Sequence, residues 1–175
     1  MQKVIRFLIF FIAVVLAFSF SVTNKEKINW ITIQQLNELY YDNPKPIVID
    51  VYTDWCGWCK QMDRTTYKNS KLVSYVNTHF YAVKFNAESK DSLLFNRKKY
   101  GYDARYRSNQ LAEYLLSMQL EYPTTVFLSS IDAQPAPLSG YMKANEMEAP
   151  LKYFGGGANH TQSFIEFNKG MKKEW

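Results

Sequence analysis

Three short apolar runs, separated by longer segments with helical spacing, constrain the fold of this chain more than any other feature. Residues 47–52 (IVIDVY), 81–85 (YAVKF) and 124–128 (TTVFL) are rich in β-branched and aromatic residues, which is typical of buried strands. Because the connection between the first two runs is long and helical, these two strands must be parallel. The alternation of strands and helices predicts one α/β domain, in which helices cover both faces of a central sheet.

The remaining elements are predicted from apolar spacing and from turn residues. Residues 22–32 are interpreted as a linker or a short first strand, and the three glycines at 155–157 as a hinge. A fourth strand is expected over 138–142, after a turn marked by Pro135 and Pro137. Helical segments are expected around 33–40, 62–67, 72–80, 89–100, 143–154 and 164–167.

Residues 1–21 are predicted to be a secretory signal peptide. Lys3 and Arg6 precede an apolar stretch over 7–18, and small residues follow it. The stretch is about a dozen residues long, short of the roughly 20 that a membrane-spanning helix needs. An uncleaved N-terminal anchor is the alternative. Both interpretations predict an exported domain, located in the periplasm.

The composition excludes several classes of protein. Because 47% of the residues are hydrophobic, the chain has enough apolar material for a core, which excludes a disordered or collagen-like chain. Lys and Arg number 21 against 16 Asp and Glu, but the basic residues are scattered, so a nucleic-acid partner is not expected. The chain has two cysteines, which excludes the disulfide framework of a small secreted scaffold.

Cys56 and Cys59 form a CGWC motif that follows a buried strand and opens a helix. The unpaired N–H groups and the dipole of a helix N-terminus stabilise an anion, so Cys56 is expected to ionise more easily than a free thiol. Cys59 lies within reach and can resolve a mixed disulfide formed at Cys56. The remaining His79 and His160 lack the spacing of zinc ligands, and Lys60 stands where a haem-attachment motif needs histidine. No metal or other cofactor is therefore predicted.

The segments IVIDVYTDWCGWCK, YAVKFNAES and EYPTTVFL occur in order and resemble the thioredoxin superfamily. The resemblance covers roughly residues 45–155 and is closest to exported thiol–disulfide proteins, including the soluble C-terminal domain of DsbD-type electron carriers. It implies a thioredoxin fold with a mixed sheet over 22–157, followed by a C-terminal tail or helix over 158–175. It also implies that Cys56 is the nucleophile, that Cys59 resolves, and that the two form a redox disulfide.

The resemblance implies roles for three residues outside the motif. Asp50 corresponds to the buried acid that acts as proton acceptor, Lys84 to its partner, and Pro123 to the cis-proline that receives the substrate backbone. From the residues alone, Asp50 and Lys84 are lone charges in apolar strands, and a buried charge is costly unless it is paired or functional. A carboxylate with a raised pKa is suited to remove the proton of Cys59. A purely structural ion pair is the alternative.

The predicted substrate-binding surface surrounds the cysteines. Trp58 stands where thioredoxins commonly carry proline. Trp55 and Trp58 are expected to form an apolar collar around Cys56 for docking client polypeptides, and simple packing of Trp55 against the domain is the alternative. The full set of substrate-binding residues is Trp55, Gly57, Trp58, Tyr122 and Pro123.

A crossover between parallel strands requires about a dozen residues. The connection between Asn86 and Pro123 is about three times that length. Its extra part, 102–120, carries apolar residues on one helical stripe and is predicted to be a helical insertion before the cis-proline strand. We expect an added core helix, and a partner-docking element is the alternative.

These features together predict an exported thiol–disulfide oxidoreductase, with the reductase direction preferred. The expected partners are cysteine-containing exported client proteins and a membrane or envelope thiol protein that donates electrons. The alternative is a redox-silent binding or chaperone-like module with a thioredoxin fold, which uses the tryptophan-lined surface and not the thiols.

Overall fold

The computed structural model describes residues 26–175. The predicted signal peptide, 1–21, lies outside the described residues. Within the described part of the chain, no helix is both long enough and apolar enough to cross a membrane.

The strands and helices follow one another in an α/β pattern. The strands of residues 26–175 are β1 (Trp30–Ile31), β2 (Ile47–Tyr52), β3 (Tyr81–Asn86), β4 (Leu93–Phe95), β5 (Lys98–Tyr100), β6 (Tyr102–Asp103), β7 (Ser108–Asn109), β8 (Thr124–Leu128) and β9 (Ala136–Ser139). The helices of the same part are α1 (Ile33–Tyr40), α2 (Gly57–Arg64), α3 (Ser70–His79), α4 (Gln110–Leu115), α5 (Ala144–Gly155) and α6 (Phe164–Gly170), with 3₁₀ turns at Thr66–Lys68 and Ala158–His160.

A central mixed sheet has the strand order β1-β3-β2-β8-β9. β3 runs parallel to both β1 and β2, whereas β8 runs antiparallel to both β2 and β9. The parallel pairing of β2 with β3 and the helices on both faces of the sheet confirm the predicted fold class. In this register, Asp50 on β2 lies opposite Lys84 on β3 and opposite Thr125 on β8.

The alternation of side chains along β2 assigns its residues to two separate cores. Ile47, Ile49 and Val51 pack on the face covered by α1 and α4, together with the buried residues of the β4–β5 hairpin. Val48 packs on the opposite face, which α2, α3 and α5 cover. Because successive strand residues point to opposite faces, Asp50 faces the same side as Val48, beneath the helix that carries the cysteines.

The segment 89–100, predicted to be helical, is instead the β4–β5 hairpin, so that prediction is wrong. Asn96 and Arg97 at its tip have φ angles of 45° and 61°. Two successive left-handed residues form the kind of tight turn that matches the twist of paired strands, and asparagine tolerates this conformation better than most residues. Phe95 and Tyr100 are buried against the core, and this burial stabilises the hairpin.

The predicted helical insertion over 102–120 is mostly not helical. It opens with the β6–β7 hairpin, and α4 begins only at Gln110, where the Asn109 side chain caps the N–H of Leu111. The helix ends after one and a half turns, and Ser117 and Met118 beyond it have left-handed φ angles. The interpretation as a core element is correct for the short helix, because Leu111 and its apolar neighbours are buried. These neighbours are Ala112, Leu115 and Leu116.

The strand predicted over 138–142 is β9, which begins earlier, at Ala136, and includes Pro137. Proline cannot donate a ladder hydrogen bond and is tolerated mainly on edge strands. β9 is one of the two edge strands of the central sheet, so Pro137 is accommodated there and does not mark a turn.

The C-terminal segment returns to the domain and binds a buried carboxylate. Glu148 on α5 is fully buried, and its carboxylate accepts the backbone N–H groups of Glu174 at 2.7 Å and Trp175 at 3.0 Å. Lys152 lies 2.9 Å from the Glu148 carboxylate and 2.6 Å from that of Glu174. Burial opposes ionisation of Glu148, but these donors hold its pKa below the ordinary value. The segment 158–175 is therefore packed against the domain at its far end.

Replacing Glu148 with glutamine is expected to lower the free energy of unfolding by about 2 kcal/mol, because the charged hydrogen bonds to Lys152 and to the C-terminal backbone are lost. Urea unfolding at pH 7 measures the change. Glu38→Gln, an exposed position on α1, is the matched control and should stay within about 0.5 kcal/mol of the parent. A loss for Glu148→Gln no larger than that of the control would contradict this account.

Candidate active site

Cys56 and Cys59 form a disulfide at the N-terminus of α2. Cys56 is the N-cap residue of this helix, with extended backbone angles, and its Sγ accepts the N–H of Cys59 at 3.0 Å. A hydrogen bond of this kind favours negative charge on sulfur.

Access to the two cysteines is limited. Cys56 is only 4% exposed, scarcely more than Cys59 at 3%. Trp55 and Trp58, which precede the two cysteines in the chain, are by contrast 67% and 64% exposed. The exposed surface of the motif is therefore formed by the two indole rings and not by the cysteines.

The two tryptophans are held by contacts with different segments of the chain. The Trp55 indole N–H donates to the Glu88 carboxylate at 3.0 Å, and the ring meets the Tyr122 ring edge-on at 6.0 Å. The ring of Trp58 lies 5.6 Å from that of Tyr141, in the segment after β9. Trp55 is thus packed against the domain on one side and exposed on the other, and its role in docking clients stays a prediction.

The predicted cis-proline position lies beside the cysteine-bearing end of β2. The peptide bond between Tyr122 and Pro123 is cis. Thr124 pairs with Val51 in the antiparallel ladder, so Pro123 lies next to the end of β2 that leads into the motif. The Pro123 carbonyl accepts the N–H of Gly140 at 2.7 Å, which ties this segment to the one after β9.

Asp50 and Lys84 form an ion pair beneath α2. The Lys84 Nζ lies 3.0 Å from Oδ2 of Asp50, which is buried. Lys84 also donates to Asp63, which follows Cys59 by one helical turn. The ammonium group further lies over the rings of Trp30 and Tyr52, at 5.3 Å from each centroid. Lys84 thus connects a buried carboxylate of the sheet to a carboxylate of the cysteine helix.

Burial dominates the electrostatics of this cluster. Desolvation raises the pKa of Asp50, although Lys84 acts in the opposite direction. Desolvation alone lowers the pKa of Lys84, but Asp50 and Asp63 reverse this effect and the pKa is raised. Tyr67 belongs to the same cluster, and burial together with the charge of Asp50 raises its pKa well above the ordinary value. Asp50 therefore binds a proton more tightly than an exposed carboxylate does.

Sequence reasoning found part of this site. It identified Asp50 and Lys84 because each is a lone charge in an apolar strand. It missed Asp63 and Tyr67, although Asp63 follows Cys59 by four residues and so shares its helix face. It also missed Tyr141. Gly57, predicted to bind substrate, is exposed, and a Cβ atom added there would meet nothing within 4 Å.

The described residues include no group of three His, Cys, Asp or Glu side chains placed to hold a metal ion. The reactive groups of the site are two sulfurs, a buried carboxylate and its lysine partner.

Comparison with known proteins agrees with this geometry. The thioredoxin-like domain family matches residues 34–155 of the chain. The chain belongs to this family. With the CGWC motif, membership supports a thioredoxin-like disulfide oxidoreductase.

Relatives of the chain share the same fold. The thiol:disulfide interchange protein DsbD of Pectobacterium atrosepticum is 24% identical over 127 residues, which cover 70% of this chain and 18% of DsbD. This chain therefore corresponds to less than a fifth of that relative. A thioredoxin-fold protein from Helicobacter pylori has a TM-score of 0.55 at 19% identity, with 73% of this chain and 80% of that chain covered. A thioredoxin from Thermus thermophilus has a TM-score of 0.56 at 14% identity, with coverages of 78% and 98%.

Replacing Asp50 with asparagine is expected to stabilise the oxidised protein at pH 7 by about 1–3 kcal/mol, because an imperfectly paired buried carboxylate is removed. Lys84 keeps Asp63 as its partner in this variant. Because burial raises the pKa of Asp50, its carboxyl group loses its proton at a lower pH in the unfolded chain than in the folded protein. Ionisation of Asp50 therefore lowers the free energy of unfolding increasingly as the pH rises above about 4.

The gain from Asp50→Asn should therefore be largest at neutral pH and shrink as the pH is lowered toward about 4. Urea unfolding of the oxidised protein across this range measures it, with the exposed Asp42→Asn as the matched control. A gain that is the same at both ends of the range, or a loss at pH 7, would show that ionisation of Asp50 does not oppose folding.

Proposed function

We propose that this chain is an exported thiol–disulfide reductase that exchanges disulfides with client proteins through Cys56 and Cys59. The observation that carries the proposal is the disulfide at the N-terminus of α2, placed above the buried carboxylate of Asp50. The arrangement supplies a sulfur whose negative charge a helix N-terminus stabilises, a second sulfur to complete the exchange, and a nearby proton acceptor.

The reaction begins from the dithiol form. The Cys56 thiolate attacks one sulfur of the client disulfide, a Cys56–client bond forms, and the other client sulfur leaves as a thiolate. The hydrogen bond from the Cys59 N–H to Cys56 Sγ stabilises the attacking anion before this step. Trp55, Gly57, Trp58, Tyr122 and Pro123 form the surface on which the client polypeptide rests.

Resolution requires Cys59 to lose a proton in a site that is almost closed to water. In the proposed mechanism the Asp50 carboxylate takes this proton, and the Cys59 sulfur attacks Cys56 and expels the second client thiolate. Two electrons pass to the client, and the chain is left with the Cys56–Cys59 disulfide. Burial raises the pKa of Asp50. The pKa of this carboxyl group is therefore closer to that of a thiol than the pKa of an exposed carboxyl group is. Lys84 keeps the charged form of Asp50 accessible.

Return to the dithiol form needs an electron donor. These 175 residues contain two cysteines and both belong to the site, so the electrons must come from a thiol outside them. We propose a membrane or envelope protein with a reactive dithiol as the donor. The reductase direction and the exported location are supported by the sequence likeness to DsbD and by the signal-peptide pattern of residues 1–21.

Trapping of mixed disulfides tests the proposed roles. Cys59→Ser should accumulate client proteins covalently attached to Cys56, because the attack proceeds and the resolution does not. Non-reducing gels followed by mass spectrometry identify the attached proteins, which should be exported proteins with cysteines and a membrane dithiol donor.

Cys56→Ser is the matched control and should trap few or none. Adducts in Cys59→Ser that are no more abundant than in the double serine variant, together with failure of the parent to reduce insulin disulfides, would reject thiol exchange. The exposed tryptophan surface would then serve binding alone. A trapped oxidant in place of a donor would reverse the proposed direction.

A further inference from the structure

An open pocket of about 530 Å³ lies directly beside the first turn of α2. It is lined by Gly57, Trp58, Gln61 and Tyr141. Gly57 and Trp58 belong to the motif, whereas Gln61 and Tyr141 have no role in the chemistry described above. Because two of its lining residues follow Cys56 directly, the pocket is continuous with the surface that a client must cover during exchange. Its volume is within the range of sites that enclose small ligands or side chains.

Tyr141 forms a fixed wall of this pocket. Its hydroxyl lies 3.0 Å from Thr65 Oγ1, and the Thr65 hydroxyl donates to the Gln61 carbonyl at 2.8 Å. The Tyr141 phenol is therefore the donor to Thr65. The next residue is also held, because the Thr66 hydroxyl donates to the Met142 carbonyl at 2.6 Å. These contacts fix the ring to the end of α2 before a client arrives, which lowers the entropic cost of binding.

The exposed indole of Trp58 lines the same pocket. The centroids of the two rings are 5.6 Å apart and their planes are inclined by 43°, so Trp58 and Tyr141 form an aromatic pair against which a client side chain can pack. Gly57 adds backbone without a side chain, and a Cβ atom placed there would meet nothing within 4 Å. The pocket thus combines an aromatic pair with unobstructed backbone next to the reactive sulfur.

The chemistry of the lining limits what it can hold. None of the four lining residues is charged, so a charged side chain would lose its water without gaining a partner. Aromatic rings favour contact with other aromatic rings in inclined arrangements such as this one. The Gln61 side-chain amide adds one donor and one acceptor at the side of the pocket.

We propose that this pocket binds an aromatic side chain that neighbours the reactive cysteine of a client polypeptide, and that Tyr141 determines this specificity. The inference rests on the proposed function, since it names which clients that site prefers. Tyr141 acts in recognition and takes no part in the transfer of electrons or protons.

Two peptide disulfides of equal length and charge test the proposal, one with phenylalanine and one with alanine beside the reactive cysteine. The second-order rate constant for reduction of each by the dithiol form of the full chain is measured at saturating reductant. The parent should favour the phenylalanine peptide by about tenfold, as expected for one well-packed side chain. In Tyr141→Ala this ratio should fall to about one to twofold.

Two variants control for altered folding. Tyr141→Phe keeps the ring and should retain most of the preference. Tyr106→Ala removes an exposed tyrosine on the β6–β7 turn, away from the pocket, and should retain all of it. Because the readout is a ratio of two substrates on one protein, loss of active molecules leaves it unchanged.

The outcomes separate the two proposals. Failure of the parent to reduce either peptide rejects the proposed function. Reduction of both peptides at equal rates, or a preference that survives in Tyr141→Ala, rejects the pocket assignment and leaves the proposed function standing. Dimers of the parent that dissociate in Tyr141→Ala, detected by sedimentation, would also reject it, because a second copy of the chain would then occupy the pocket.

Discussion

The ion pair between Asp50 and Lys84 is the contact on which the arrangement of the site depends. It lies between two parallel central strands and beneath the helix that carries the cysteines. Asp50 without Lys84 would be a buried charge without a partner, at a cost of about 3–5 kcal/mol, whereas Lys84 without Asp50 still keeps Asp63. Lys84 also forms an ion pair with Asp63 on α2, which links the sheet to the cysteine-bearing helix. In the proposed mechanism, the same cluster also provides the proton acceptor.

Buried and exposed groups occupy different parts of the motif, and the proposed function assigns chemistry to the first and recognition to the second. The sulfurs and Asp50 are buried, whereas Trp55 and Trp58 face solvent and are held by partners from distant parts of the chain. The inserted segments after β3 contribute to this division, because Glu88 anchors Trp55 from the loop that precedes the β4–β5 hairpin. In the proposed mechanism a client therefore binds to fixed aromatic side chains, and the electron exchange takes place at the buried sulfurs.

Much of the fold and part of the site are predictable from the sequence, for physical reasons that differ from element to element. β2 and β8 are buried on both faces, so their continuous apolar runs predict them to the residue. A lone charge in such a run stands out, which is why Asp50 was found. Asp63 was not predicted to belong to the site, because a charged residue on a helix normally faces solvent. The β4–β5 hairpin was missed because its turn uses left-handed Asn96 and Arg97 where glycine would have marked it.

Separate timing of the two chemical steps shows whether Asp50 serves the resolution step. Stopped-flow measurement resolves attack by Cys56 from expulsion of the client by Cys59. In Asp50→Asn, expulsion should slow by at least about 100-fold, the usual contribution of a positioned proton acceptor, while attack changes by less than about twofold. Asp42→Asn should change neither. Equal slowing of both steps in Asp50→Asn would contradict the account and would leave Asp50 a structural residue.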